Sequence, residues 1–387
     1  MRNKKKSYTF RKFIRDIHLW LGVGSGLVLF LICFSGTIYT FRHEVEQFLE
    51  PEKFKIISTQ TAPHSLSELI TATEQETKGK VTRISIYDNP LKPMELQVSM
   101  GKEDKRGETY FVNPYNSAIL GTGKGPATNF FMFFFKMHRY MLLDQKIGRP
   151  IVGVSTLIFV FLTITGLVLW LPKKIKSWRS FKPGLTIKFS ANWKRINHDL
   201  HNVLGFYTFI LVLIMALTGL NWSFEWYKDG MSDVLGAKVF GGRDEVKIES
   251  TITANALAIS PETALSLSQK EFPYTGKTTI SLAKGPEASY EIIKKNDANF
   301  NKEAFDKIIL DQYSGSILKK ELFADKTLGQ KIAAQIKAIH LGEIYGTFSK
   351  IVYFISCLIA TSLPITGIII WINKLRKQKT KTSKAIN

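Results

Sequence analysis

The chain has 387 residues and a formal net charge of +21, with 53 Lys and Arg against 32 Asp and Glu. Its mean hydropathy is close to zero, at -0.01, so the apolar residues must balance a large number of charged ones. The two cysteines lie inside apolar stretches, which excludes a disulfide framework and a Cys-x-x-Cys metal or redox motif.

Four long apolar stretches interrupt the polar sequence. An α-helix needs about 20 apolar residues to cross a hydrocarbon core of about 30 Å. With their flanks, the stretches predict transmembrane helices at 17–41, 150–172, 198–226 and 345–373, and Pro150 is expected to break the chain before the second. The expected fold class is a membrane all-α four-helix transmembrane bundle, with substantial polar segments outside it.

The excess of basic residues is concentrated in a lead at 1–16, a loop at 173–197 and a tail at 374–387. Basic residues accumulate on the cytoplasmic side of membrane proteins. The pattern therefore predicts a multi-pass protein of the bacterial inner membrane with both termini cytoplasmic. Topology and contact with anionic lipid explain the charge, so no nucleic-acid partner is expected. The first span is too long for a cleaved signal peptide and is expected to be retained.

Two polar segments, 42–125 and 227–330, lie between spans on the predicted outer side. In the first, Ser65 and Glu68 predict a capped helix over 65–78. In the second, Pro261 suits the first turn of a helix. Strands are predicted at 81–87, 95–100, 109–112, 117–121, 278–282, 289–294 and 307–310. Each segment is therefore expected to form a small α+β module on the periplasmic side. An interfacial aromatic segment at 126–149 and an amphipathic lead at 331–344 precede spans two and four.

The two halves of the chain share landmarks at one constant spacing, which we call the repeat offset. His18-Leu19-Trp20-Leu21-Gly22 returns as His201-Asn202-Val203-Leu204-Gly205, and Ser35-Gly36 returns as Thr218-Gly219. The displacement along the chain is the same for every landmark. Both halves consist of a span, an outer module and a second span in the same orientation. This pattern predicts an internal two-fold parallel repeat with its axis along the membrane normal.

Four histidines are each associated with one span. His18 and His201 are predicted near the inner face, and His138 and His340 near the outer face. Neutral imidazole is a common axial ligand of haem iron, and facing helices of a bundle can each supply one. We therefore expect two six-coordinate haems, held by His18 with His201 and by His138 with His340. The alternative for each histidine is an amphipathic residue at the membrane interface.

Two further residues are candidates for the same sites. His198 precedes His201 by three residues, and we expect it to serve as an alternative ligand or as a partner of a haem propionate. Arg139 follows His138 and is a candidate propionate partner, because Arg binds carboxylates with two parallel hydrogen bonds. The alternative for Arg139 is contact with lipid headgroups. No catalytic residue is predicted.

The histidine segments resemble those of a known family. The segments are Ile17-His18-Leu19-Trp20-Leu21-Gly22, His198-Asp199-Leu200-His201, Met137-His138-Arg139 and Ile339-His340-Leu341-Gly342. Together with span ends of the form Thr-Gly-x-x-x-Trp, they resemble the PepSY-associated transmembrane helix family. The outer modules resemble PepSY domains, especially at Phe111-Val112-Asn113-Pro114. The resemblance implies an iron-regulated inner-membrane protein similar to periplasmic ferric-siderophore reductases, which carry haem b.

These observations suggest two alternative functions from different classes. The first is a haem-dependent membrane oxidoreductase with two haems b, which takes electrons from a membrane quinol or a cytoplasmic electron donor. Its acceptor would be a ferric-siderophore or another ferric chelate, and reduction to Fe(II) would release the iron. The second is a membrane-anchored PepSY regulatory or binding protein, a peptidase inhibitor or chaperone without redox chemistry. A transporter is less consistent, because the spans lack buried charges.

Overall fold

The structure, a computed structural model, describes residues 8–56, 62–101, 104, 107–241, 248–252 and 256–386. Residues 1–7 of the predicted basic lead lie outside the described residues. The helices are α1 Phe10–Tyr39, α2 Arg42–Leu49, α3 Leu66–Thr77, α4 Thr128–Tyr140, α5 Gln145–Trp170, α6 Lys182–Leu185, α7 Trp193–Asp199, α8 Gly205–Gly219, α9 Glu225–Leu235, α10 Pro261–Glu271, α11 Leu328–Leu341 and α12 Thr347–Ile386. The strands are β1 Lys80–Ile86, β2 Met94–Ser99, β3 Glu108–Val112, β4 Ile119–Thr122, β5 Thr278–Ser281, β6 Ser289–Lys295, β7 Phe305–Asp311 and β8 Ile317–Glu321.

Four helical segments of the described chain are long and apolar enough to cross a membrane. They are Phe10–Tyr39, Gln145–Trp170, Trp193–Trp222 and Thr347–Lys377, in agreement with the four predicted spans. The third span is not a uniform α-helix, because a π-helical turn over Leu200–Leu204 joins α7 to α8. Single π-helical turns occur frequently at functional sites, and this one contains His201.

The expected break at Pro150 is wrong. Helix α5 begins at Gln145, with the Asp144 side chain accepting a hydrogen bond from the Lys146 amide at 2.8 Å, and it contains Pro150 in its second turn. Proline removes one intrahelical hydrogen bond, and neighbouring helices make this loss tolerable in a membrane span. The first turn packs tightly, since a Cβ atom at Gly148 would lie 2.0 Å from the Tyr140 carbonyl oxygen.

The four spans form a bundle in which each helix has two neighbours. Helix α1 packs against α5 and α12, and α8 packs against the same two helices. Helices α1 and α8 therefore stand diagonally across the bundle. The shorter helix α4 packs against α1 and α5, while α11 packs against α8 and α9. This arrangement brings side chains of α1, α4, α8 and α11 to the bundle interior.

The strands of both outer segments form one antiparallel sheet of eight strands, in the order β4-β3-β2-β1-β5-β6-β7-β8. The two halves meet where β1 pairs with β5, from Arg83 opposite Ser281 to Ile86 opposite Thr278. The expected modules therefore share a sheet rather than folding as separate units. Helices α3 and α10 pack with the sheet around a common core, whose most buried members include Leu69, Ile84, Leu96, Phe272, Ile280, Ile292 and Ile308.

A local capping box sets the start of α3, and a hydrogen bond between distant segments joins α3 to α10. The predicted capping box is confirmed, since the Ser65 side chain accepts from the Glu68 amide and the Glu68 carboxylate accepts from the Ser65 amide. The Glu262 carboxylate of α10 accepts from the Ser67 amide at 2.6 Å, which ties α10 to the first turn of α3.

The sheet is anchored to one end of the bundle. The side-chain amides of Asn301, in the β6–β7 turn, and Gln335, in α11, exchange hydrogen bonds of 3.0 and 3.2 Å. Beside them, the Lys302 amide donates to the Ile344 carbonyl at 2.8 Å. We call this end, where α11 carries His340, the sheet end of the bundle.

Candidate functional site

His18 and His201 lie beside each other inside the bundle, and we call them the inner pair. Their ring centroids are 6.4 Å apart and the ring planes cross at 87°. They meet because α1 and the third span stand diagonally across the interior. The Nδ1 atom of His18 lies 2.9 Å from the Thr165 hydroxyl of α5, and that of His201 lies 2.9 Å from the Thr366 hydroxyl of α12. Each neighbouring helix therefore anchors one imidazole.

The hydroxyl contacts fix which nitrogen of each inner histidine carries the proton. Thr165 donates its only hydroxyl proton to the Phe161 carbonyl at 2.7 Å, and Thr366 donates to the carbonyls of its own preceding turn. Both hydroxyls can therefore only accept from the imidazoles. The network assigns the proton to Nδ1 of His18 and His201 and leaves each Nε2 lone pair free for a ligand.

His138 of α4 and His340 of α11 form a second pair toward the sheet end, which we call the outer pair. Their ring centroids are 6.2 Å apart and the ring planes are inclined by 50°. His138 Nδ1 donates to the Ile32 carbonyl of α1 at 2.9 Å, and His340 Nδ1 donates to the Met215 carbonyl of α8 at 3.0 Å. A carbonyl oxygen accepts only, so the outer pair also carries its protons on Nδ1 and has free Nε2 lone pairs.

A glycine lies behind each of the four imidazoles. A Cβ atom would lie 3.1 Å from His138 Cε1 if placed on Gly36, and 3.0 Å from His340 Cε1 if placed on Gly219. The inner pair has the same backing, at 3.4 Å from Gly166 to His18 and 3.3 Å from Gly367 to His201. A Cβ atom would crowd the ring at Gly36, Gly219 and Gly367, whereas at Gly166 it would make an ordinary van der Waals contact.

Two buried asparagines of the third span adjoin the pairs. Asn197, 1% exposed, donates from Nδ2 to the Thr366 carbonyl at 3.1 Å, and Asn221, 4% exposed, donates to the Thr218 carbonyl at 3.0 Å. The Thr218 hydroxyl lies 3.1 Å from His340 Nδ1. The asparagines thus brace the threonines that contact His201 and His340.

The remaining predicted site residues lie at the edge of the pairs. The side chain of His198 is 57% exposed, and its Nδ1 lies 3.6 Å from the Asp199 carboxylate. The guanidinium group of Arg139 lies 5.4 Å from the ring centre of Phe135 and 5.3 Å from that of Tyr140. Both residues are adjacent in sequence or within one turn of a paired histidine, but the ring contacts within each pair involve neither.

The described residues contain no group of three or more His, Cys, Asp or Glu side chains placed to hold a metal ion. Each pair offers two imidazole nitrogens and no carboxylate or thiolate. Such a donor set suits an iron whose other ligands come from a macrocycle rather than a bare cation.

The sequence analysis named the four histidines, which the structure brings together in pairs, but it missed the groups that contact their Nδ1 atoms. Thr165, Thr366 and Thr218 precede the backing glycines in recurring Thr-Gly pairs, so a signal was present in the span ends. The carbonyl partners Ile32 and Met215 carry no such signal, because every residue has a carbonyl group. Their role depends on how α4 and α11 dock.

A comparison of the sequence with protein-family profiles shows to which family the chain belongs. The profile of the PepSY-associated TM region matches residues 15–374, which include both histidine pairs and all eight strands. The chain belongs to the PepSY-associated TM family. No curated protein matches it. Family membership together with the four spans establishes this PepSY-associated TM protein as a membrane protein.

Proposed function

We propose that this chain is a di-haem b-type transmembrane electron-transfer protein of the bacterial inner membrane. In this proposal it reduces a ferric-siderophore or another ferric chelate on the side of the membrane where the sheet lies, with both termini in the cytoplasm. The observation that carries the proposal is the presence of two histidine pairs inside the bundle, each with free Nε2 lone pairs.

The spacing of the rings fits ligation of one iron by each pair. If each nitrogen lies about 2.0 Å from the metal, as histidine does with zinc, two imidazoles on opposite sides of it have ring centres about 6.3 Å apart. The separations are 6.4 Å in the inner pair and 6.2 Å in the outer pair. Both separations match the spacing that bis-histidine ligation requires.

The anchoring of Nδ1 supports the same chemistry. Ligating histidines commonly donate their other ring N–H to a carbonyl, carboxylate or water, which fixes the tautomer and raises the basicity of the ligating nitrogen. His138 and His340 follow this pattern through the Ile32 and Met215 carbonyls, and the Thr165 and Thr366 hydroxyls take the place of the carbonyl for His18 and His201. Haem bound there would supply reversible one-electron transfer between Fe(III) and Fe(II).

The two pairs lie at different depths of the bundle. Ile32, which anchors the outer pair, lies well beyond His18 on the continuous helix α1. At the rise of about 1.5 Å per helical residue, the two positions are about 21 Å apart, most of a hydrocarbon core of about 30 Å. Two sites at these depths suit the passage of single electrons from one face of the membrane to the other.

The proposal includes an internal repeat with two PepSY-like outer modules. Ile32 and Met215, the two carbonyl anchors, are separated by the repeat offset, as are the backing glycines Gly36 and Gly219. Contacts at one constant offset support descent from two copies of one unit. The sheet that joins both modules would then form the surface on which a chelate docks above the outer pair.

Absorption spectroscopy of the purified protein tests the proposal. We expect a Soret band and, after dithionite reduction, the sharp α and β bands of low-spin six-coordinate haem. Vesicles containing the protein should then reduce an external ferric hydroxamate when electrons are supplied from the opposite side. A colourless protein purified from haem-replete cells would instead favour a membrane-anchored PepSY regulatory protein.

A further inference from the structure

The sheet end of the bundle carries a group of cationic side chains, which we call the cationic rim. It consists of Arg42 of α2, Lys337 of α11 and Lys350 of α12. Lys350 Nζ donates to both carboxylate oxygens of Glu44, at 2.7 and 2.9 Å, and its side chain is only 8% exposed. Among the described residues, neither Arg42 nor Lys337 forms an ion pair. The rim therefore has two cations without a matching carboxylate.

The three cations converge on the imidazole of His43, at the start of α2. Arg42 Nη2 lies 3.0 Å from His43 Nε2. Partial burial lowers the pKa of His43 to about 4, and the three rim cations contribute in the same direction. The ring is therefore uncharged at neutral pH. The positive potential that keeps a proton off His43 attracts an anion to the same place.

The rim lies next to the outer pair. Lys337 precedes His340 by three residues on α11, which is about 4.5 Å along a helix axis, and it is exposed. Gln335, on the same helix, exchanges hydrogen bonds with Asn301 of the β6–β7 turn. The rim is therefore found where the sheet meets the bundle, within one helical turn of a paired histidine.

The corresponding positions on the other side of the outer pair are less cationic. At the repeat offset, Arg42 corresponds to Glu225. Phe135, three residues before its own paired histidine, stands where α11 has Lys337. The cation at the start of the neighbouring span recurs, as Arg149. Two of the three rim positions are thus occupied by an acid and an aromatic residue, so the attraction for an anion is stronger at the rim.

We propose that the cationic rim is the docking surface for the ferric chelate, and that this chelate is an anion carrying carboxylate groups. This inference rests on the proposed function. Arg42 can meet a carboxylate with two parallel hydrogen bonds, and Lys337 offers a compact charge on the same surface. Ferric citrate has this chemistry. The tris-hydroxamate of Fe(III) is neutral, and the rim offers it no charge attraction.

Reduction at the rim transfers one electron between two iron centres. The Fe(III) ion of the docked chelate becomes Fe(II), and the iron proposed between His138 and His340 returns from Fe(II) to Fe(III). No covalent bond of the protein forms or breaks, and no proton is needed. The rim acts on the encounter, because charges at the edge of a docking surface mainly change the association rate and its salt dependence.

Three substitutions on α11 separate this role from a structural one. Lys337→Gln removes one rim charge, and Lys337→Arg retains it. Lys331→Gln is the matched control, because it removes the same charge from the same helix six residues farther from His340. All variants are compared in vesicles of phosphatidylcholine alone, so that no anionic lipid headgroup competes for the rim. Each should retain the wild-type Soret band, which reports an intact bundle.

Reduction of external ferric citrate, with electrons supplied from the opposite side, is the kinetic readout. We expect Lys337→Gln to lower kcat/KM about 5-fold, the upper range for one exposed ion pair, while Lys337→Arg and Lys331→Gln stay near wild type. The difference should fade when added salt shortens the Debye length from about 30 Å to about 8 Å. A neutral ferric tris-hydroxamate should be reduced at the same rate by all four proteins.

Equilibrium dialysis with gallium(III) citrate, which is not reduced, measures docking without electron transfer. We expect weaker binding to Lys337→Gln than to wild type and Lys331→Gln. Equal effects of Lys337→Gln on the reduction of citrate and hydroxamate chelates, or undiminished binding of gallium citrate, would overturn the inference. Wild-type vesicles that reduce neither ferric chelate would remove the proposed function instead, whatever the dialysis shows.

Discussion

The Nδ1 atom of His138 donates to the carbonyl oxygen of Ile32 at 2.9 Å, in the interior of α1. The Ser35 hydroxyl, which lies 2.6 Å from the Leu31 carbonyl and 3.0 Å from the Ile32 carbonyl, shares its single proton within the same turn of α1. The contact with Ile32 fixes both the depth and the tautomer of His138. The same relationship joins His340 to Met215, which makes the outer pair as closely defined as the inner one.

The first prediction concerns the haem proposed between His18 and His201. His201→Ala removes one of the two nitrogens of the inner pair, whose rings are 6.4 Å apart, and leaves the outer pair intact. We expect the haem content to fall from about two to about one per chain, because a single axial imidazole holds haem b weakly. Pyridine haemochrome absorbance per mole of protein measures this ratio. A variant with full haem content would contradict the pairing of His18 with His201.

The second prediction concerns the threonine that orients His18. Thr165→Val keeps the shape of the side chain but removes the acceptor 2.9 Å from Nδ1. Loss of such a partner typically costs about 10-fold to 100-fold in metal affinity. It also makes the imidazole less basic, which favours Fe(II), so we expect the midpoint potential of the inner haem to rise. Spectroelectrochemical titration measures the shift.

Thr163→Val is the matched control for Thr165→Val. Thr163 lies on the same helix two residues earlier, and its hydroxyl bonds to the Phe159 carbonyl at 2.8 Å. The control removes the same hydroxyl from the same helix without removing a histidine partner. Equal shifts of potential in both variants would show that Thr165 has no specific role.

The sequence patterns that predicted the spans and strands are local ones. The length of the apolar stretches predicted the four spans. Alternation of apolar and polar residues between turn residues predicted strands such as β1 and β6. A capping box set the start of α3 at Ser65. These features depend on residues close together in the chain, so they can be recognised without a fold.

The features that prediction missed depend on packing between distant segments. The pairing of β1 with β5 joins strands from the two halves of the chain, and neither strand shows which edge it will bury. The π-helical turn at His201 and the continuation of α5 through Pro150 likewise depart from local preference, and in a membrane span neighbouring helices can satisfy the backbone groups that such irregularities leave free. The repeat offset pointed to the histidines. The carbonyls of Ile32 and Met215 become their partners only because α4 and α11 dock against the bundle.

The third prediction concerns the glycine behind His138. Gly36→Ala places a methyl group 3.1 Å from His138 Cε1, closer than ordinary carbon contacts. The ring must tilt or move, and forced packing of this kind typically costs about 1–3 kcal/mol. We expect the haem proposed at the outer pair to bind more weakly and its electron paramagnetic resonance spectrum to change. Gly24→Ala on the same helix is the control, since a Cβ atom there meets no atom within 4 Å.

The fourth prediction separates the functions of the two pairs. His340→Ala removes one of the two proposed ligands in the outer pair and also the contact of that ring with Trp222, whose ring centre lies 5.3 Å away. Because the inner pair lies toward the opposite end of the bundle, with His18 about 21 Å from Ile32 along α1, we expect the haem proposed there to remain and to be reduced by a donor at that end. Electrons should then stop there, so reduction of an external ferric chelate by vesicles should be lost.

The same vesicles give the decisive comparison for His340→Ala. A spectrum recorded during turnover should show the remaining haem almost fully reduced in His340→Ala, because its electrons have no exit. In His201→Ala the remaining outer haem should stay oxidised while the donor is present on the inner side, because its electrons have no entry. Wild-type rates of chelate reduction in His340→Ala would show that the outer pair is not on the electron path. Opposite redox states in the two variants would establish the direction of transfer from the inner pair to the outer pair.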